Sequence, residues 1–119
     1  MALFECNVAG GGGELPTPTE YNRTFTTEGW FNVKNIDTTK DLYFILKIVN
    51  DKNESTVYLD KFQYVSSKNS AAATNIYTSG SYQVNIRIQT GTLQIGVVGV
   101  PVGGYKIYFK EYDMTSLIV

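Results

Sequence analysis

Asp51, Asn53 and Ser55 place side-chain oxygens at the 1-3-5 spacing with which a loop can ring a calcium ion. Such a loop should continue with Gly at position 56 and a bidentate Glu at position 62. Thr56 and Phe62 stand there, so the spacing predicts a plain turn and leaves open only a calcium site built from other loop carboxylates. Gly10-Gly11-Gly12-Gly13 would cradle a phosphate if Gly-Lys-Ser/Thr closed the loop, but Glu14-Leu15 follows and sets negative charge where phosphate would sit. A carboxylate pair for glycoside hydrolysis would have to come from eleven Asp and Glu residues that fall mostly in turns or at strand ends. The chain has no histidine and one cysteine, which removes His-based triads, the usual zinc ligand sets and any internal disulfide. No basic cluster neighbours Cys6 in sequence to stabilise a thiolate, so it reads as a small buried hydrophobe rather than a nucleophile. These side chains predict a protein that is not an enzyme and calls for no cofactor or metal.

Composition narrows the partners. Among 119 residues, Lys plus Arg is 10 and Asp plus Glu is 11, a net charge of −1 that argues against nucleic acid as a partner. No apolar run approaches the roughly 20 residues of a membrane span. Met1-Ala2-Leu3-Phe4-Glu5 lacks a basic region and a long apolar stretch, so we expect synthesis in the cytoplasm without a signal peptide. In that setting the acceptor patterns Asn22-Arg23-Thr24 and Asn53-Glu54-Ser55 are chance matches. What is plentiful is tyrosine, nine residues, with many amides and threonines. Flat amphipathic rings beside amide donors suit sugar rings or a wet protein interface.

The elements that must position these groups repeat every two residues. In Ser81 to Thr90, Tyr82, Val84, Ile86 and Ile88 alternate with Gln83, Asn85, Arg87 and Gln89, and after Gly91 the alternation resumes through Leu93, Ile95 and Val97. Two such runs about a short glycine turn predict a hairpin. Its polar face, Gln83, Asn85, Arg87 and Gln89, is the sharpest candidate platform for a glycan or partner, and Tyr108 and Tyr112 supply candidate stacking rings. The glycines of Gly96-Val97-Val98-Gly99 predict a bulge or a close backbone approach. Tyr105 to Tyr112 alternates again. Asp41 to Val49 is a nearly continuous apolar run that predicts a strand covered on both faces, paired with Thr56 to Val65. Between Leu59 and Phe62 the phase slips by one, the mark of a β-bulge. Trp30 to Ile36 and Tyr21 to Thr27 read as strands, and Ser66 to Thr74 as a loop or a single helical turn. About eight short strands with regular turn signals predict an all-β, antiparallel, jelly-roll-like sandwich over 14–119.

Residues 1–13 read as a separate unit, a strand-like arm on a Gly tether. Leu3, Phe4, Cys6 and Val8 make the arm apolar, and Leu117, Ile118 and Val119 make an apolar strand of the other end. Both are candidate assembly elements, because a tethered strand suits addition to another sheet. The opening Met1-Ala2-Leu3-Phe4-Glu5-Cys6-Asn7-Val8 before Gly10 to Gly13, and the Tyr/Asn/Thr-rich strands such as Gly80-Ser81-Tyr82-Gln83-Val84-Asn85-Ile86, resemble small tail-associated and capsid-decorating virion proteins of bacteriophages. The resemblance implies a structural role in a particle, with self-association or docking on other virion proteins. The alternative is a carbohydrate-binding, host-attachment module that contacts a cell-surface glycan.

Overall fold

The computed structural model describes residues 16–51, 55–68 and 71–117. The hairpin with the clearest alternation forms as β6 (Tyr82–Gln89) and β7 (Thr92–Val98). Thr90 and Gly91 turn it with φ of 52° and 74°, the doubly positive geometry of a two-residue hairpin turn whose twist matches its strands. Gly91 adopts it freely, whereas Thr90, being β-branched, does so at a steric cost.

The other strands are β1 (Thr19–Phe25), β2 (Gly29–Asn35), β3 (Leu42–Asp51), β4 (Ser55–Tyr64), β5 (Ala71–Ser79) and β8 (Tyr105–Asp113). Among the described residues these eight strands make two antiparallel sheets. The first has the order β1-β8-β3-β4 and the second β2-β7-β6-β5. The nested pairs β1·β8 and β2·β7 give the wrapping of a jelly roll. Inside them, β3·β4 and β5·β6 close as local hairpins.

Alternate side chains of each sheet meet in the middle. From β3 come Leu42, Phe44, Leu46 and Ile48, from β6 Val84, Ile86 and Ile88, from β7 Leu93 and Ile95, and from β8 Ile107 and Phe109, all essentially without solvent contact. Burying such side chains contributes about 1.5–3 kcal/mol each before the entropy of ordering is counted, which lets a chain this small fold without a disulfide. Tyr105 is also wholly buried, opposite Asn50 on β3, and neither its hydroxyl nor Asn50 Oδ1 finds a hydrogen-bond partner. Burial, and behind it the nearby Tyr77, Tyr82 and Tyr58 rings, push the Tyr105 hydroxyl up to about 12.

Several expectations change. No bulge separates Leu59 from Phe62, and the β3·β4 register runs unbroken from Leu42↔Tyr64 to Asp51↔Ser55. The slip arises because apolar residues occupy both faces of β4: Phe62 and Tyr64 point into the core, whereas Val57 and Leu59 point out and are 54% and 72% exposed. Register shifts occur instead in β2, at Asn32/Lys34, and in β5. After a 3-10 turn at Ser66–Lys68, Ala71, Ala72 and Ala73 belong to β5 rather than to a loop or helical turn. Leu117 does not continue a strand. β8 ends at Asp113, and residues 115–117 turn back, with the Leu117 amide donating to the Met114 carbonyl at 2.9 Å. Asp41 anchors this end. Its carbonyl accepts from the Met114 amide at 2.8 Å, its amide donates to Thr115 Oγ1 at 2.8 Å, and its Oδ1 accepts from the Ser66 amide at 2.9 Å.

Leu46→Ala and Leu59→Ala make the same chemical change on adjacent strands. Denaturant unfolding should show a loss of about 2–5 kcal/mol for the first and about 0.5 kcal/mol or less for the second. Tyr105 gives a second expectation. Its hydroxyl is held neutral in the fold above the ordinary value of 10.0, so its contribution is complete below pH 10 and declines as pH rises toward about 12. Unfolding free energy measured against pH should fall over that window. Tyr105→Phe should lessen the fall and be neutral or stabilising at pH 7, because it removes an unpaired buried hydroxyl.

Candidate functional site

The six residues expected to form a glycan or partner face divide between two faces. Gln83, Asn85, Arg87 and Gln89 line the outer surface of the second sheet, while Tyr108 and Tyr112 lie on the outer surface of the first. The parity of each strand decides this, since directly paired residues share a face.

On the second sheet Asn85 and Arg87 are hydrogen-bonded to neighbouring side chains. Arg87 Nε donates to Gln94 Oε1 at 2.6 Å, and Gln94 Nε2 donates on to Asn32 Oδ1 at 2.8 Å. Asn75 Nδ2 donates to Asn85 Oδ1 at 3.0 Å, and Thr78 Oγ1 to Asn75 Oδ1 at 2.8 Å. Trp30, 41% exposed, lies across Gly96, where a Cβ would come within 2.9 Å of three indole atoms. The glycine thus marks a close approach, of a ring rather than a backbone. The Arg87 guanidinium carbon sits 3.8 Å from that ring's centroid, so cation–π attraction ties β6 to the edge strand β2.

The first sheet presents a different surface. Register places Glu20, Lys110, Ile45 and Lys61 in one cross-strand row, and Asn22, Tyr108, Lys47 and Leu59 in the next. Thr24, Lys106, Val49 and Val57 form a third row. Across these three rows four lysines therefore stand with one carboxylate, Glu20. Among the described residues the ion pairs are Lys34 with Glu111 at 3.2 Å and Lys40 with Asp113 at 3.4 Å, and neither involves these four lysines. Two of the four instead flank an aromatic ring: Lys47 Nζ is 4.6 Å and Lys106 Nζ 5.3 Å from the centroid of Tyr108. An open groove of about 470 Å³ crosses the face from Glu20 and Asn22 on β1, past Tyr108 and Lys110, to Ile45, Lys47 and Leu59. Tyr43 and Tyr112 close one end, with ring centroids 6.5 Å apart, and Met114 and Leu117 pack against them. Burial there raises the Tyr43 hydroxyl above its ordinary range, with Tyr112 adding to the effect.

Of the residues expected to drive assembly, Leu117 thus covers the end of this groove in its own chain. Leu3, Phe4, Cys6, Val8, Ile118 and Val119 lie outside the described residues. Val57, Leu59 and the lysines are not singled out by sequence reasoning. Their signal is present as the phase slip in β4 and as Lys106, Tyr108 and Lys110 on the polar phase of β8. Among the described residues no three His, Cys, Asp or Glu side chains gather as a metal site, and no helix is long and apolar enough to cross a membrane. Compared with protein-family models, curated proteins and solved structures, the chain gives no significant match.

Trp30 is the only tryptophan, so its fluorescence reports the second sheet alone. Gly96→Ala should lift the indole off β7, shifting its emission to the red and increasing quenching by acrylamide, while circular dichroism stays that of the native sandwich.

Proposed function

We propose that this chain is a non-enzymatic structural module that assembles with copies of itself or with other proteins of a virion, tail or capsid associated. The observation that carries the reading is the outer face of the first sheet. There, exposed Leu59 and Val57 adjoin a groove bordered by lysines without acidic partners among the described residues. Apolar side chains exposed beside an excess of positive charge are suited to a partner that supplies both a hydrophobic contact and carboxylates. The virion as setting rests on the resemblance of the opening residues and the tyrosine- and amide-rich strands to phage structural proteins.

The carbohydrate reading has less support. A sugar on the Gln83, Asn85, Arg87 and Gln89 face would compete with the hydrogen bonds that Asn85 already shares with Asn75 and Arg87 with Gln94. It would also meet Trp30 with a guanidinium already over the ring.

Assembly through the lysine face has a direct test. Lys47→Glu with Lys110→Glu should weaken self-association about tenfold or more, since like charges placed against a complementary surface cost at least about 1.4 kcal/mol. Gln89→Glu on the opposite sheet should leave it unchanged. Sedimentation velocity over a concentration series measures both. A chain that stays monomeric at every concentration, and that elutes alone from a mixture with its virion proteins, would falsify the reading.

A further inference from the structure

We infer that Tyr58 and Tyr77 are a modification site, at which one-electron oxidation joins the two rings by a carbon–carbon bond and staples the sheets together. The two tyrosines come from edge strands of different sheets, β4 and β5, and among the described residues no backbone ladder connects those strands. Their ring centroids are nevertheless 4.3 Å apart with the rings inclined at 50°. That is closer than the stacked Tyr21 and Phe109, at 4.9 Å. The Tyr58 hydroxyl is also hydrogen-bonded to that of Tyr77. Rings this close whose hydroxyls meet hold their ortho carbons side by side, and those carbons carry much of the unpaired spin of a tyrosyl radical.

A local irregularity delivers Tyr77 to this place. The β5·β6 register shifts between Asn75 and Tyr77, and the successive residues Ile76 and Tyr77 are both buried. A regular strand turns only one of two neighbours inward, whereas a bulge re-aims the second. Tyr58 lies on the same phase of β4 as Phe62 and Tyr64 and packs against the core, yet it is only half-buried. One ring of the pair is therefore reachable from solvent and the other is sheltered.

That asymmetry orders the chemistry. An oxidant takes an electron from Tyr58, and its phenolic proton leaves. Across the hydrogen bond a hydrogen atom then passes from Tyr77 to Tyr58, which moves the radical inward and leaves Tyr58 able to lose a second electron and proton. The two radicals couple ortho to ortho. The ring hydrogens at the joined carbons shift to the oxygens and restore both hydroxyls, so the product has lost two hydrogens in all. A peroxide balances the step, because breaking its O–O bond takes up the two electrons and two protons. Tyr105 is poorly placed to compete, since its ring meets Tyr77 edge-on at 5.9 Å and is wholly buried.

The experiment oxidises the full folded chain with persulfate, itself a peroxide, and ruthenium tris-bipyridyl under brief light. Reducing electrophoresis and mass spectrometry should show a monomer lighter by two hydrogens, with the blue fluorescence of dityrosine. Tryptic digestion should join the peptide that holds Tyr58 to the one that holds Tyr77, and fragmentation should place the bond at Tyr77 rather than at Tyr82 in the same peptide. Because the rings are already in place, the yield should not change on dilution and should fall about tenfold or more in denaturant. Tyr58→Phe and Tyr77→Phe should each lower it as far while circular dichroism stays native, and Tyr58→Phe alone decides the matter if Tyr77→Phe does not fold. Tyr108→Phe, on the outer face of the first sheet, should leave the yield unchanged. The bond closes the chain between residues 58 and 77, so the product should also unfold at a higher temperature than the untreated protein. Absence of dityrosine, a bond chiefly between chains or at another pair, or full yield from Tyr58→Phe overturns the site. An unchanged unfolding temperature overturns the staple.

Discussion

Strand β8 forms its hydrogen bonds to β1 on one side and to β3 on the other, bringing together residues as far apart in sequence as Tyr21 and Glu111. The first sheet exists only when this insertion is made, because β3·β4 alone is an isolated hairpin and β1 has no other partner strand among the described residues. Such closure is entropically expensive and is recovered only when Ile107 and Phe109 reach the core between the sheets. The contacts around the junction are correspondingly dense. Tyr21 stacks on Phe109 at 4.9 Å and donates to Glu111 at 2.9 Å, and Lys34 reaches the same carboxylate from the second sheet. Burial first, and then the Glu111 charge, raise the Tyr21 hydroxyl far above its ordinary range, which keeps that donor protonated.

The same insertion makes the outer surface of the first sheet. Lys106, Tyr108 and Lys110 occupy the alternate phase of β8, so fixing Ile107 and Phe109 inward necessarily projects them outward. Beside them β3 contributes Ile45 and Lys47, and β4 contributes Leu59. Lysine stems and tyrosine rings have apolar bodies and polar tips, which lets one surface remain hydrated alone and still offer hydrophobic contact when covered. The second sheet resolves its outer face differently, by pairing amides and laying Trp30 over Gly96. The two faces of the sandwich therefore differ in what they leave to a partner.

Much of this is legible in the residues. The alternation of Tyr82 to Gln89 and of Tyr105 to Tyr112 dictates strands, and the glycine at position 91 dictates a tight hairpin, because few other residues enter the positive-φ region freely. The phase slip in β4 is equally visible but open to two explanations. A bulge and an outward-facing apolar pair give the same pattern, and only the unbroken register against β3 separates them. Ala71 to Ala73 has weak strand preference by itself. It becomes β5 because β6 offers an edge to pair with.

What the sequence determined by itself was class and exclusion: strands, an apolar interior, no histidine chemistry, no excess of charge. Those follow from composition and from a period of two, which are local properties. Which residues share a surface was decided by the tertiary structure. Gln83 to Gln89 and Tyr108 to Tyr112 look alike as polar phases of alternating strands, yet they face opposite sides of the molecule because β6 and β8 belong to different sheets. Lys47, Lys106 and Leu59 are scattered along the chain and become neighbours only through the pairing of β3 with both β8 and β4. Strand order is a contest among long-range pairings whose energies differ little residue by residue, so it is settled by the packing of the whole core and not by any segment alone.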